Sequence, residues 1–184
     1  MNTTKTSLAA FLVLLAVGAW AATPAQRAIE GWPTQNKQAA QAMIDKYGQP
    51  DSTIGDRLEW NHRGAFKQVA VDGRAAPNAM VENTVSYPVS PSGVGLLSLN
   101  NAVVKPDADS AQLTACSRSE RDNVLALNVA DGVMHGRLTA DQARNEQERT
   151  IQLQGAGKYT PASERLQFRP GVDPLWDWVH TAPY

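Results

Sequence analysis

Residues 39–71 are AAQAMIDKYGQPDSTIGDRLEWNHRGAFKQVAV, and the spacing of their apolar side chains changes once along this stretch. The first part repeats at the 3.6-residue period of a helix. The residues on that apolar face are Ala40, Met43, Ile44 and Tyr47. Gly48 can adopt the left-handed conformation that ends many helices, and Pro50 cannot continue one. From Leu58 the period is two, as in a half-buried strand, so the stretch predicts a helix followed by a β-hairpin.

Apolar and polar residues continue to alternate after this hairpin. They predict a third strand at 81–89, where Pro88 marks an edge or an end, and a fourth strand at 94–99. The dipeptide 103–104 either continues the fourth strand or starts a fifth. The remaining segments before the next helix are a loop at 105–110 and a short extended piece at 113–116.

Two helices are predicted after these strands. The motif S-x-x-E at 117–120 is a capping box that begins a helix extending to about Met134. This helix is apolar on most sides, which places it at the centre of the core with Leu127 against the sheet. A second capping box, T-x-x-Q at 139–142, begins a mostly polar surface helix that extends to about residue 151.

Together these elements predict an α+β domain: an N-terminal helix, a four- or five-stranded antiparallel meander, and then a helix pair packed on one face. The chain divides into a signal peptide (1–21), a linker with a helical turn (22–35), a single domain (36–170) and an aromatic C-terminal tail (171–184). We also expect a short strand at 165–168, near the end of the domain.

The first residues have the three parts of a secretory signal peptide. Lys5 precedes the apolar or small residues 8–20, and Ala19-Trp20-Ala21 is a small-x-small cleavage site. A helix of this length spans about 20 Å, less than the roughly 30 Å of a bilayer core. We therefore expect a Sec-type signal cleaved after Ala21 and a periplasmic or secreted protein, with an uncleaved anchor as the alternative.

Composition narrows the classes of partner. Cleavage leaves 163 of the 184 residues, enough for one domain with its own core, with a net charge of about −2. No basic run is present, so neither a nucleic-acid partner nor a polybasic membrane surface is predicted. The histidines and the single cysteine lack metal-ligand spacing, and no phosphate-binding loop is present, so we predict no metal and no cofactor.

Two segments resemble parts of known bacterial proteins. The helix, Tyr47-Gly48-x-Pro50 stop and hairpin of residues 39–71 resemble the α-β-β unit of outer-membrane-assembly lipoproteins and β-lactamase-inhibitor proteins. That resemblance implies a protein that binds other proteins rather than an enzyme, although the lipid-accepting cysteine is missing. Residues 117–144 are similar to a segment of exported bacterial proteins to which no function is assigned.

The sequence assigns no catalytic residue, and the candidates under the alternative of an enzyme are Cys116 and His135. Cys116 directly precedes the predicted helix N-terminus, which would lower its pKa and favour the thiolate. His135, or alternatively His62, could then serve as a base for a thiol nucleophile. The competing interpretation is that Cys116 is a buried, inert thiol, as its neighbours Leu113 and Ala115 suggest.

Four further residues are candidates for binding. Asn128 and Asp131 are polar residues on an otherwise apolar helix, so we expect them to bond neighbouring backbone or Arg118, Arg121 or Arg144, or else to line a ligand pocket. Trp176 and Trp178 in the tail either dock on the domain, over the sheet or the first helix, or form an exposed patch for a partner.

These observations favour a non-catalytic periplasmic module that binds a ligand or interacts with another envelope protein. The alternative is an enzyme that uses Cys116 as its nucleophile. An exposed sheet face or aromatic patch would favour the module, and a concave pocket that groups Cys116 with a histidine would favour the enzyme.

Overall fold

A computed structural model describes residues 22–89, 94, 95, 97 and 103–171. The predicted signal peptide, residues 1–21, and the tail residues Trp176 and Trp178 lie outside the described residues. The main helices are α1 (Pro24–Ala28), α2 (Thr34–Tyr47), α3 (Glu120–Met134), α4 (Ala140–Gly155) and α5 (Pro161–Glu164). The strands are β1 (Ser52–Ile54), β2 (Arg57–Arg63), β3 (Phe66–Asp72), β4 (Val81–Ser86), β5 (Val104–Asp107) and β6 (Gln112–Ser117).

The strands form one antiparallel sheet in the order β1-β2-β3-β4-β6-β5. The predicted α+β class is confirmed, and the described sheet has six strands rather than four or five. β6 lies between β4 and β5, so the simple meander ends at β4. β5 begins at Val104, which was predicted to continue the fourth strand or to start a fifth, but it also includes Lys105, Pro106 and Asp107, which were predicted as loop. An edge strand tolerates such residues, since one side of it needs no pairing within the sheet.

Helices α2 and α3 cover the same face of the sheet. The side chains that point toward them form the core, and the largest is Trp60, which is fully buried and donates a hydrogen bond from Nε1 to the Gly48 carbonyl at 3.0 Å. Gly48 has φ 78°, the left-handed conformation expected at the end of α2. Leu127 of α3 is also fully buried, as predicted, and α4 packs on α3 with little of its own surface buried.

The start of α3 differs from the prediction. Ser117 is the last residue of β6, and the cap is Ser119, whose hydroxyl accepts a hydrogen bond from the Asp122 amide at 3.2 Å. The capping box at 117–120 therefore does not form, because the sheet extends farther than expected. The second box is confirmed: Thr139 and Gln142 cap α4 reciprocally.

Two further expectations were wrong. Val94, Gly95 and Leu97 are helical rather than part of a fourth strand, and residues 165–168 form bends rather than a strand. The helical turn expected in the segment 22–35 is α1, and this segment also places apolar side chains in the core. Those side chains are Ala25, Ile29 and Trp32. Of the described helices, none combines the length and the apolar composition that a membrane span requires.

Candidate functional site

A cleft of about 720 Å³ lies beside the C-terminal end of α3, within the range of typical ligand sites. We call it the α3 cleft. It is lined by Tyr87, Pro88, Asp131, His135, Arg137, Gln167, Phe168, Arg169 and Gly171. The chain reaches it three times: where it leaves β4, where α3 ends, and in the segment that follows α5.

The end of α3 brings three charged or titratable side chains to the cleft. His135 is the C-terminal cap of the helix, and Gly136 has φ 65°, so the chain reverses there in a conformation that favours glycine. Arg137 directly follows this turn. His135 lies one helical turn after Asp131 on the same side of α3, and the reversal at Gly136 brings Arg137 back to the Asp131 carboxylate.

Asp131 is the buried centre of the site, with 4% of its side chain exposed. Its carboxylate accepts a hydrogen bond from the Tyr87 hydroxyl at 2.9 Å and forms an ion pair with Arg137. Nδ1 of His135 lies 3.0 Å from Oδ1 of Asp131. The bonding of Asp131 to an arginine is as expected, but the partner differs from the predicted ones. Arg118, Arg121 and Arg144 pair with Asp122, Glu164 and Asp141 instead.

Tyr87 is a permanent donor at neutral pH. Burial and the hydrogen bond to Asp131 raise the pKa of Tyr87 far above its usual value near 10. Its ring makes an edge contact with Phe168, with centroids 5.4 Å apart, and a second edge contact with His135 at 6.4 Å. The cleft therefore has an aromatic wall next to its charged groups.

Asn128 fixes the segment that forms the far wall. Its Nδ2 donates to the carbonyls of Ala162 and Arg165 at 2.7 and 2.9 Å, and its Oδ1 accepts from the Gln167 amide at 2.7 Å. The prediction that Asn128 bonds neighbouring backbone is confirmed. Because these bonds hold residues 162–167, Phe168 is positioned next to Tyr87 and Arg169 lies at the rim.

The charges of the cleft do not cancel. Arg137 neutralises Asp131, whereas the exposed Arg169 forms no ion pair with any residue in the described part of the chain. Among its described lining residues, the α3 cleft therefore carries an excess of one positive charge. Such a surface attracts anionic groups.

Cys116 lies elsewhere and is not activated. It belongs to β6, where its neighbour Ala115 points into the core, so Cys116 points to the face of the sheet away from the helices. Its thiol is half-buried and donates to the Ala79 carbonyl at 3.3 Å. Burial, and next the nearby Glu82 carboxylate, raise the pKa of the Cys116 thiol. The alternative of a thiolate at a helix N-terminus has no support from this geometry, because Cys116 belongs to β6 and α3 begins only at Glu120.

The structure does not bring the other candidate catalytic residues to Cys116. His135 is at the end of α3, on the covered side of the sheet, and His62 is in β2 with φ 53°. Within the described ranges, Cys116 is hydrogen-bonded to neither histidine. No group of three or more potential metal ligands occurs among the described residues.

The sequence analysis singled out Asp131 and His135 but missed Tyr87, Arg137 and Arg169. Tyr87 was assigned to a strand as one more alternating residue, and isolated arginines near a chain reversal are common on any surface. The only local signal was the close spacing of Asp131, His135 and Arg137 around Gly136.

The function of this chain has to be inferred from its sequence and geometry, because comparisons with known proteins add no similar protein. No protein-family model matches this chain, and no match was found among curated proteins or among solved structures.

Proposed function

We propose that this chain is a non-catalytic binding module that acts outside the cytoplasm, and that its α3 cleft holds an acidic segment of a partner envelope protein. The observation that carries the proposal is the excess positive charge of an open cleft with an aromatic wall. Export is expected from the sequence of residues 1–21. The resemblance of residues 39–71 to protein-binding envelope modules also supports a binding role.

The chemistry of the lining favours binding over catalysis. None of the described lining residues carries a thiol, an aliphatic hydroxyl or an amine that could act as a nucleophile. The hydroxyl of Tyr87 already donates its proton to Asp131, and burial and this hydrogen bond raise its pKa. Asp131 already accepts from Tyr87 and pairs with Arg137, so the buried carboxylate serves to position these groups.

The ligand class follows from the same contacts. Arg169 and the outer edge of Arg137 present guanidinium groups, which form paired hydrogen bonds with carboxylates. Phe168 is partly exposed and packs against the buried Tyr87, so it offers an aromatic surface to a second ring. A peptide segment with acidic residues on either side of an aromatic one would use both features.

A titration with two blocked tripeptides tests this proposal. The mature protein is titrated with Asp-Trp-Asp and with Lys-Trp-Lys, and backbone amide shifts are followed by NMR. We expect the acidic peptide alone to shift the amides of His135, Phe168 and Gly171, with an affinity that falls as salt is added.

A pair of arginine variants locates the binding. Arg169→Gln should weaken binding of the acidic peptide roughly three- to tenfold, whereas Arg149→Gln should leave it unchanged. Arg149 is an exposed arginine on α4, so this control removes the same charge outside the cleft. Equal binding of both peptides, or equal loss in both variants, would contradict the proposal.

A further inference from the structure

We infer that residues 172–184 of this chain dock in the α3 cleft and compete there with the partner segment. This inference rests on the cleft of the proposed function and adds an internal occupant to it. It gives the module a means of regulation, because a partner must displace the chain's own segment before it binds.

The path of the chain supports this placement. Gly171 lines the cleft and is bonded to residue 172, so the segment 172–184 is tethered at the cleft. Its backbone lies directly against Pro88: a Cβ atom on Gly171 would come within 2.9 Å of the Pro88 ring. The segment 172–184 can extend over at most about 45 Å, so it is long enough to cross the cleft.

The charge of the segment complements that of the cleft. Residues 172–184, VDPLWDWVHTAPY, contain Asp173 and Asp177 and no lysine or arginine. The cleft offers Arg169, which has no ion-pair partner in the described chain, beside the neutralised pair of Asp131 and Arg137. Two carboxylates tethered to the rim reach the guanidinium groups at a high effective concentration.

The aromatic residues of the segment match the wall of the cleft. Trp176 lies between Asp173 and Asp177, so the segment has an acidic residue on either side of an aromatic one, as the contacts favour in a partner, and Trp178 follows directly. Tyr87 and Phe168 already make an edge-to-face contact, and an indole could extend that cluster. Burial of an indole also removes a large apolar area from water, which favours docking over exposure.

Limited proteolysis of the full-length mature chain tests the inference. Chymotrypsin cleaves after aromatic residues, and mass spectrometry follows cleavage at Trp176 and Trp178. We expect Arg169→Glu to raise the rate at these sites at least threefold, and Arg149→Glu to leave it unchanged. Melting temperatures of both variants are measured, so that faster cleavage through global unfolding is recognised.

A charge exchange makes the test specific. Combining Arg169→Glu with Asp173→Lys and Asp177→Lys should restore slow cleavage, because the attraction is recreated with opposite signs. Cleavage of Arg169→Glu at the wild-type rate, or no restoration in the combined variant, would overturn the inference.

The acidic tripeptide separates this inference from the proposed function. Asp173→Asn combined with Asp177→Asn should bind Asp-Trp-Asp several-fold more tightly than the wild type, because the competitor is weakened. If the peptide binds both proteins equally and cleavage does not respond to Arg169→Glu, the internal occupant is refuted and the proposed function stands. If cleavage responds as expected but the peptide binds neither protein, the proposed function fails and the docking of residues 172–184 stands.

Discussion

Helix α3 carries one buried carboxylate in its first turn and another in its last, and both have the same kinds of partner. Each accepts a hydrogen bond from a tyrosine hydroxyl and pairs with one partly exposed cation. Tyr47 and Lys46 do so for Glu120, and Tyr87 and Arg137 do so for Asp131. The two side chains are similarly buried, with 9% and 4% exposed.

The surroundings of the two carboxylates differ. Glu120 is enclosed between α2, α3 and β4, and it also accepts from Nδ2 of Asn83 at 3.3 Å. Asp131 borders an open cleft of about 720 Å³. The same kinds of contact therefore join α2 and α3 to the sheet at the N-terminal end of α3. At its C-terminal end they position the cations that border the α3 cleft.

The helix dipole adds a second difference. The N-terminus of a helix stabilises an anion and the C-terminus destabilises one, each typically by 0.3–1 kcal/mol. Glu120 is in the favourable position and Asp131 in the unfavourable one. An anion that opposes the dipole is poorly placed for stability alone, which agrees with a binding role for the cations around Asp131.

The largest expected effect is a loss of stability, from a residue of α3 that lies between the two carboxylates. Leu127 is fully buried in the middle of α3, so Leu127→Ala should lower the free energy of unfolding by about 2–5 kcal/mol. Denaturant unfolding measures this loss. A variant as stable as the wild type would show that α3 does not hold its two carboxylates in place through the core.

Removing the two charges should have unequal effects. Glu120→Gln should cost about 1 kcal/mol more stability than Asp131→Asn, because only the first loses a favourable dipole interaction. Asp141→Asn, at an exposed carboxylate on α4, serves as the control for loss of a negative charge. An equal or larger cost for Asp131→Asn would remove the distinction between the two ends.

A smaller effect on stability is expected at alkaline pH, where the tyrosines ionise. Burial and the nearby carboxylate raise the pKa of both Tyr47 and Tyr87 above the ordinary value near 10. Their contribution to stability is complete below pH 10, where the unfolded chain also keeps them protonated, and it is lost as pH rises beyond that value. Thermal unfolding between pH 9 and 11 should therefore show a shallower decline in Tyr47→Phe and Tyr87→Phe. Unchanged slopes would contradict the raised pKa values.

The smallest effect is expected on the uncovered face of the sheet. Cys116→Ser should change stability by less than about 1 kcal/mol and leave peptide binding unaltered. The thiol bonds the Ala79 carbonyl on the other face of the sheet, away from Glu120 and Asp131. Its raised pKa also predicts slow reaction with a thiol reagent at neutral pH. Rapid modification of the native protein would return attention to a thiol-dependent function.

Local patterns predicted much of the fold. The end of α2 at Gly48, the β2–β3 hairpin, the burial of α3 and the capping box of α4 depend on residues within a few positions of one another. Backbone hydrogen bonds and side-chain caps of this kind act over short separations, and so their residue patterns appear directly in the sequence. The same patterns identified Asn128 and Asp131 as polar residues that need partners.

Only the tertiary structure decided how distant segments meet. The position of β6 between β4 and β5, the extension of β6 to Ser117 and the contact of Tyr87 with Asp131 join residues that are far apart in sequence. Such pairings depend on the packing of the whole sheet and on which hydrogen-bond donors remain unpaired after it forms. The local spacing of apolar residues contains no information about either. The sequence by itself determined that α3 would be buried with two polar groups to satisfy, and the packed chain determined that one of its ends would face an open, positively charged cleft.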